Sequence, residues 1–241
     1  MNQIQKRLMP ISTLPAHLQQ KDWARTLVAA SGKPLAPHAI INVREPDQEQ
    51  RELTRQVEIV IDCSNSMSRK DKMQQARRGA LQFAREAQGK GYLVGLIGFA
   101  SDAEILLEPT ESLEGIRQGL GQMKAGRGST NMADGIQTAR ELLADERGEK
   151  VMCIVTDGQP DDDELALAEA AKAKQLGIEI MTIGTDDADR AFLERIASRH
   201  ELSAKVESHE LEKEMVNMAK MLPMLPAPRT TVTRRLSFRK P

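Results

Sequence analysis

Aromatic residues are nearly missing from this chain: Phe, Tyr and Trp make up 2% of 241 residues, with one Trp and one Tyr. The core must therefore be aliphatic, and the 12 Met are there to fill irregular gaps in it. Cysteine is equally scarce. Cys63 and Cys153 both sit inside apolar runs, where an isolated Cys behaves as a small buried hydrophobe. Two such residues argue for a reducing compartment rather than a disulfide framework. No apolar run approaches the roughly 18 residues that signal a membrane span. Residues 1–7 lead into no apolar signal-type segment. The expectation is a cytoplasmic protein with no membrane contact. The net charge is −1, so bulk electrostatics point to neither nucleic acid nor a lipid surface. The phosphate-binding pattern Gly-x-x-x-x-Gly-Lys-[Ser/Thr] is also missing, so any ATP hydrolysis must come from another protein.

What is present falls into three stretches. Residues 1–54 carry Pro10, Pro15, Pro34, Pro37 and Pro46 with little periodicity. They are expected to form an extended arm with one short helix at 17–30, around Trp23. From residue 55 apolar runs alternate with helical patterns, as in α/β folds. Strands are expected at 57–61, 92–100, 104–108, 151–155, 178–183 and 204–207. Helices are expected at 71–88, 112–123, 132–144, 162–176, 188–199 and 211–222. Only Ser101-Asp102-Ala103 separates the second strand from the third, which permits a hairpin and forbids a parallel crossover. The fold class that follows is α/β: a doubly wound, mostly parallel sheet with one antiparallel edge strand and helices on both faces. Residues 225–241 form a basic tail with Arg229, Arg234, Arg235, Arg239 and Lys240 and no acid.

Oxygen-bearing side chains gather at three places. Asp62-Cys63-Ser64-Asn65-Ser66 follows the first strand, Gly128-Ser129-Thr130-Asn131 opens a helix, and Thr156-Asp157-Gly158 follows the strand at 151–155. In a doubly wound sheet ligands bind beyond the carboxyl ends of the strands, at the switch point. If the strands ending at Asp62 and Asp157 are neighbours there, their carboxylates converge. Asp62, Ser64, Ser66, Thr130 and Asp157 offer only oxygen, and His17, His38, His200 and His209 all lie elsewhere. Such a set suits Mg²⁺ first, and Mn²⁺ or Ca²⁺ next, rather than zinc or copper. Taken alone, Asp-x-Ser-x-Ser would be an ordinary helix cap. The acid runs Asp161-Asp162-Asp163 and Asp186, Asp187, Asp189 read as acids favoured at helix starts by the dipole. Met215, Met218, Met221 and Leu222 read as core packing.

Asp-x-Ser-x-Ser after a buried strand, Gly-Ser-Thr-Asn before a helix and Thr-Asp-Gly after a later strand resemble the von Willebrand factor A (vWA) domain, a Rossmann-like fold. Its metal-ion-dependent adhesion site (MIDAS) uses this pattern, and all five positions match: Asp62, Ser64, Ser66, Thr130 and Asp157. The resemblance covers about residues 55–222, within a domain taken as 55–224. It implies one divalent cation contacted by the two serines and the threonine, with the aspartates often acting through water. It also implies a coordination position completed by a partner's carboxylate.

The function that follows is an intracellular adaptor or scaffold that captures an Asp or Glu of a protein partner. Family members of this kind work beside AAA+ ATPases or in kinase–phosphatase systems of stress or defence. Arg127, Asn65 and Asn131 are candidate partner contacts. The alternatives are an RNA-binding vWA protein using its basic tail, and a metal-dependent phosphoesterase. Only Phe238 interleaves the tail with an aromatic, which weakens the nucleic-acid case. No general base or Ser-His-Asp arrangement accompanies the motifs, which weakens the enzymatic one.

Overall fold

Residues 54–224 are described in the computed structural model. The expected arm, its helix at 17–30 and the basic tail lie outside them. Strand β1 (Arg55–Asp62) is buried along its whole length, as a strand covered on both faces must be. A 3₁₀ turn at Asn65–Ser68 leads into α1 (Lys72–Gly89). Then come β2 (Leu93–Phe99), β3 (Ala103–Thr110), α2 (Leu113–Gln122), α3 (Met132–Leu143) and β4 (Glu149–Thr156). The chain continues through α4 (Asp163–Gln175), β5 (Ile178–Thr185), α5 (Arg190–Ile196), β6 (Ser203–Val206) and α6 (Leu211–Met221).

The sheet order is β3-β2-β1-β4-β5-β6. β1 pairs in parallel with both β2 and β4, and only β3 runs antiparallel, against β2. The three-residue link therefore makes the expected hairpin, closed by Ala100 N–H donating to Asp102 O at 2.9 Å. β1 and β4 are neighbours, and the strand order reverses at them. The crevice beyond their carboxyl ends is the switch point.

The alternation along β1 divides the core. Val57, Ile59 and Ile61 pack with α1, α2 and α6, through Ala80, Phe83, Ile116 and Met215. Val60 packs with Ile136, Ala139, Ala170 and Phe192 of α3, α4 and α5. Met215, Met218 and Leu222 are buried in the first of these layers, as expected of core packing, whereas Met221 is exposed and lies outside the core. Aromatics being few, backbones approach closely: a Cβ on Gly79 of α1 would stand 2.5 Å from Met215 Sδ.

Helix starts follow local chemistry. Ser112, Asn131, Asp162 and Asp189 each accept a backbone N–H of the following turn, at α2, α3, α4 and α5, as such caps do. Gly177, at φ +73, ends α4 in the left-handed conformation that glycine adopts freely. α5 is shorter than the helix expected at 188–199, because Asp189 caps it and Ala197 turns extended.

At the amino end of β1, Arg55 is buried over the Tyr92 ring at 5.3 Å. It donates to Glu149 Oε1 at 2.9 Å, Pro223 O at 3.0 Å and Met224 O at 3.2 Å. Beside it, Lys90 Nζ donates to the carbonyls of Ala219, Lys220 and Leu222 at 3.0, 2.6 and 2.6 Å. A cation on the last carbonyls satisfies orphan acceptors and complements the dipole. Both ends of the described chain are thereby fastened together.

Candidate metal centre

Asp62 is the last residue of β1 and is fully buried. Its Oδ1 accepts the Ser64 N–H at 2.7 Å and its Oδ2 accepts the Thr156 hydroxyl at 2.7 Å. The first bond bends the chain sharply as it leaves the strand; the second ties β1 to the end of β4. Burial raises the Asp62 pKa, and the Asp157 charge adds to this, against the hydrogen bonds from Ser64 and Thr156. A positive charge placed nearby would relieve that cost.

The hydroxyls form a chain. Ser64 Oγ and Ser66 Oγ lie 2.9 Å apart, and Ser66 Oγ donates to Asp157 Oδ1 at 2.7 Å. Thr130 reaches the same place from the far loop: a Cβ on Gly158 would stand 3.8 Å from Thr130 Oγ1 and 3.9 Å from Ser66 Oγ. A Cβ at position 158 would be in ordinary van der Waals contact with both hydroxyls, so Gly158 lies beside them at the crevice. The loop carrying Thr130 is sewn to the first loop by backbone bonds. Arg127 N–H donates to Cys63 O, Gly126 N–H to Ser64 O and Asn65 N–H to Gly128 O, each at 3.1 Å. The five residues singled out by their spacing therefore meet in one crevice.

Four neighbours escaped the sequence reading. Thr156 orients Asp62. Asp161 grips Thr130 twice, accepting its N–H at 3.0 Å and donating to its carbonyl at 2.9 Å; Asp161 is thus more than a helix-start acid. Lys72, the first residue of α1, is 3% exposed and hydrogen-bonds Asp157 Oδ2. Its ammonium also lies 2.9 Å from Asp186 Oδ2. Burial would lower the Lys72 pKa, but the hydrogen bonds to Asp157 and Asp186 outweigh it and raise the value. Asp186 is no helix-start acid either. Its Oδ1 accepts the Ser208 hydroxyl at 2.8 Å, and the hydrogen bond from Lys72 holds its pKa below the usual range.

The candidate partner contacts are all engaged within the protein. Arg127 pairs with Glu104 at 2.7 Å. Asn65 Oδ1 accepts the Gly128 N–H at 3.3 Å. Asn131 Oδ1 caps α3 through Asp134 N–H at 3.3 Å, and its Nδ2 donates to Ser101 O at 3.3 Å. Cys63 and Cys153 are buried free thiols, and burial raises both pKa values, to about 11 and about 12. They are inert packing groups.

A family model of the von Willebrand factor type A domain matches residues 57–217. The chain belongs to this family. The match spans most of the described residues, and the resemblance drawn from three short motifs holds across the fold. A UPF0353 protein of Mycolicibacterium paratuberculosis is 32% identical over 147 residues, which cover 53% of this chain and 43% of that one. The chain thus spans less than half the length of that relative.

Solved structures agree on the fold. The pilus adhesin SpaC of Lactobacillus rhamnosus GG has a TM-score of 0.63 at 20% identity, over 71% of this chain and 31% of its own. The vWF domain of the type V pili tip protein Mfa5 of Porphyromonas gingivalis scores 0.62 at 14% identity, over 70% of this chain and 94% of its own. Proximal thread matrix protein 1 of the mussel byssus, with a zinc-occupied MIDAS motif, scores 0.60 at 18% identity, over 69% and 47%. At such identities the likeness shows the six-stranded vWA architecture and nothing finer.

The donor set fits a hard divalent cation. It combines three hydroxyls with two buried carboxylates, and no imidazole or thiolate belongs to it. Among the described residues no group of three or more His, Cys, Asp or Glu is placed to hold a metal, so the site would depend on its hydroxyls. Ser66 and Thr130, at the mouth, would meet the ion first; Asp62 and Asp157 would supply charge from below.

Proposed function

We propose that this vWA domain is a metal-dependent protein-interaction module. Ser64, Ser66 and Thr130, backed by Asp62 and Asp157, hold one divalent cation at the switch point. The cation supplies a Lewis-acidic position that takes an Asp or Glu carboxylate from a protein partner. The observation that carries the reading is the continuous chain Asp157–Ser66–Ser64, with Thr130 beside it, at the one place where the strand order reverses. Oxygen donors alone favour Mg²⁺, then Mn²⁺ or Ca²⁺. The zinc in the byssus relative makes Zn²⁺ a necessary control. Adhesins and pilus-tip proteins among the structural neighbours support interaction as the task. We place the protein inside the cell, as a scaffold in a stress, defence or AAA+ ATPase-associated assembly; the two buried, unpaired cysteines are compatible with that setting.

The test is a pull-down of the full chain from native extract, with Mg²⁺ and with EDTA. Partners presenting an acidic residue are expected to be retained with Mg²⁺ and lost with EDTA. They are also expected to be lost with Asp62→Ala and Thr130→Ala. Retention of the same partner under all four conditions refutes carboxylate capture.

A further inference from the structure

Building on that reading, we propose that Lys72 and Asp186 form an internal charge regulator that sets how tightly the crevice holds its cation. Among the described residues Lys72 is the one ammonium buried against the site, and it touches two carboxylates at once, Asp157 and Asp186. The arrangement divides the work of Asp157. Its Oδ1 faces the hydroxyl chain and its Oδ2 faces Lys72, leaving one oxygen turned toward the crevice.

The backbone around this pair is unusual as well. Lys70, Asp71 and Asp186 are the only non-glycine residues with positive φ among the described residues, at 51, 59 and 46 degrees. Left-handed backbone costs energy for such residues and persists where surrounding structure demands it. Here all three lie at the two ends of the Lys72–Asp186 contact. That contact spans from the start of α1 to the end of β5. Asp186 Oδ2 is buried, and the Lys72 ammonium 2.9 Å away is its main compensation. Lys70 also approaches Asp186, at 3.7 Å, but is 73% exposed and screened by water.

The consequence is electrostatic. Asp62, Asp157 and Asp186 bring three carboxylates to this end of the sheet and Lys72 contacts the last two, so with all four charged two negative charges remain for a divalent ion to neutralise. Removing the Lys72 charge leaves three and strengthens the hold on any cation. Removing the Asp186 charge leaves one and turns the whole of Lys72 onto Asp157, which weakens it. At a few ångströms in a partly buried site, one unit charge changes a cation's affinity by about tenfold or more.

The experiment is Mn²⁺ binding to the full chain, followed by electron paramagnetic resonance and by calorimetry, with folding checked by circular dichroism. Lys72→Gln keeps a donor for Asp157 and removes only the charge; it is expected to bind Mn²⁺ at least about tenfold tighter than wild type. Asp186→Asn is expected to bind about tenfold weaker. The Lys72→Gln/Asp186→Asn double variant restores the charge balance and is expected to return to within about threefold of wild type. A residue that merely props up the fold would not give this compensation. Unchanged or weaker binding in Lys72→Gln overturns the inference, as does a double variant no closer to wild type than the singles. If wild type takes up no Mn²⁺, or uptake survives Ser66→Ala with Thr130→Ala, the metal reading fails and this inference with it. Lost charge ordering alongside intact wild-type binding removes the inference alone.

Discussion

Glu58 offers a sharp test of how the core handles charge. It sits mid-strand in β1, fully buried, and neither carboxylate oxygen has a hydrogen-bond partner. Beside it, Gly95 of β2 supplies the room: a Cβ there would stand 2.1 Å from Glu58 Oε2. An unpaired carboxylate in such surroundings avoids ionising. Desolvation lifts the Glu58 pKa from 4.5 to about 8.

The sign follows from proton linkage. The folded state keeps the Glu58 proton over a range in which the unfolded chain has lost it. The favourable contribution is therefore complete below 4.5, falls as pH rises toward about 8, and is flat above. The slope within that window is about 1.4 kcal/mol per pH unit. Under about 1 kcal/mol is lost by pH 5 and about 3 kcal/mol by pH 7. Glu58→Gln has nearly the shape of the neutral acid and cannot ionise. Measured by urea unfolding from pH 5 to 8, the variant and wild type should draw apart by about 3–4 kcal/mol, the variant gaining. At pH 7 this corresponds to a melting temperature about 6–12 °C higher than at parity. Two curves that stay parallel across the window would show that Glu58 is not carrying a trapped proton, and would refute the reasoning.

Gly95→Ala should destabilise by about 1–3 kcal/mol through crowding against Glu58, and in a Glu58→Ala background most of that cost should vanish; equilibrium unfolding of the four proteins gives the coupling. Thr156→Val removes the hydroxyl that holds Asp62 and should cost about 1–3 kcal/mol in urea, with weaker cation binding by calorimetry. Lys90→Met strips three carbonyls at the end of α6 of their cation and should cost about 1–2 kcal/mol. Amide exchange should quicken in the last turn of α6 first.

The framework was legible because its signals are local. Near-continuous apolar strands announced a sheet covered on both faces, and a three-residue link could make only a hairpin. The five oxygen residues were legible because three strand-to-loop motifs each place them within a few positions of a strand or helix end. What escaped was non-local. Lys72 and Asp157 are 85 positions apart, and Thr156 and Asp62 are 94 apart. Still, Lys72 carried one sign of its role. It lies four residues before Ala76 on the stripe continued by Ala80 and Phe83, and so places a charge on the buried face of α1. Glu58 was hidden for a different reason. One acid inside Val57–Ile61 is invisible to a periodicity argument when both faces of the strand are covered. The acid runs misled in part because dipole logic explains Asp162 and Asp189 but is silent on tertiary partners such as Ser208.

The clamp formed by Arg55 and Lys90 has a bearing on how the domain is mounted. Residues 54 and 224 leave side by side at the amino end of β1, while the crevice opens at its carboxyl end, roughly 23 Å away along the strand. Within the described residues, the two chain ends and the crevice thus occupy opposite ends of β1. A pull applied at residues 54 and 224 bears on the Arg55 and Lys90 contacts first and spares the loops that hold Thr130 and Ser66.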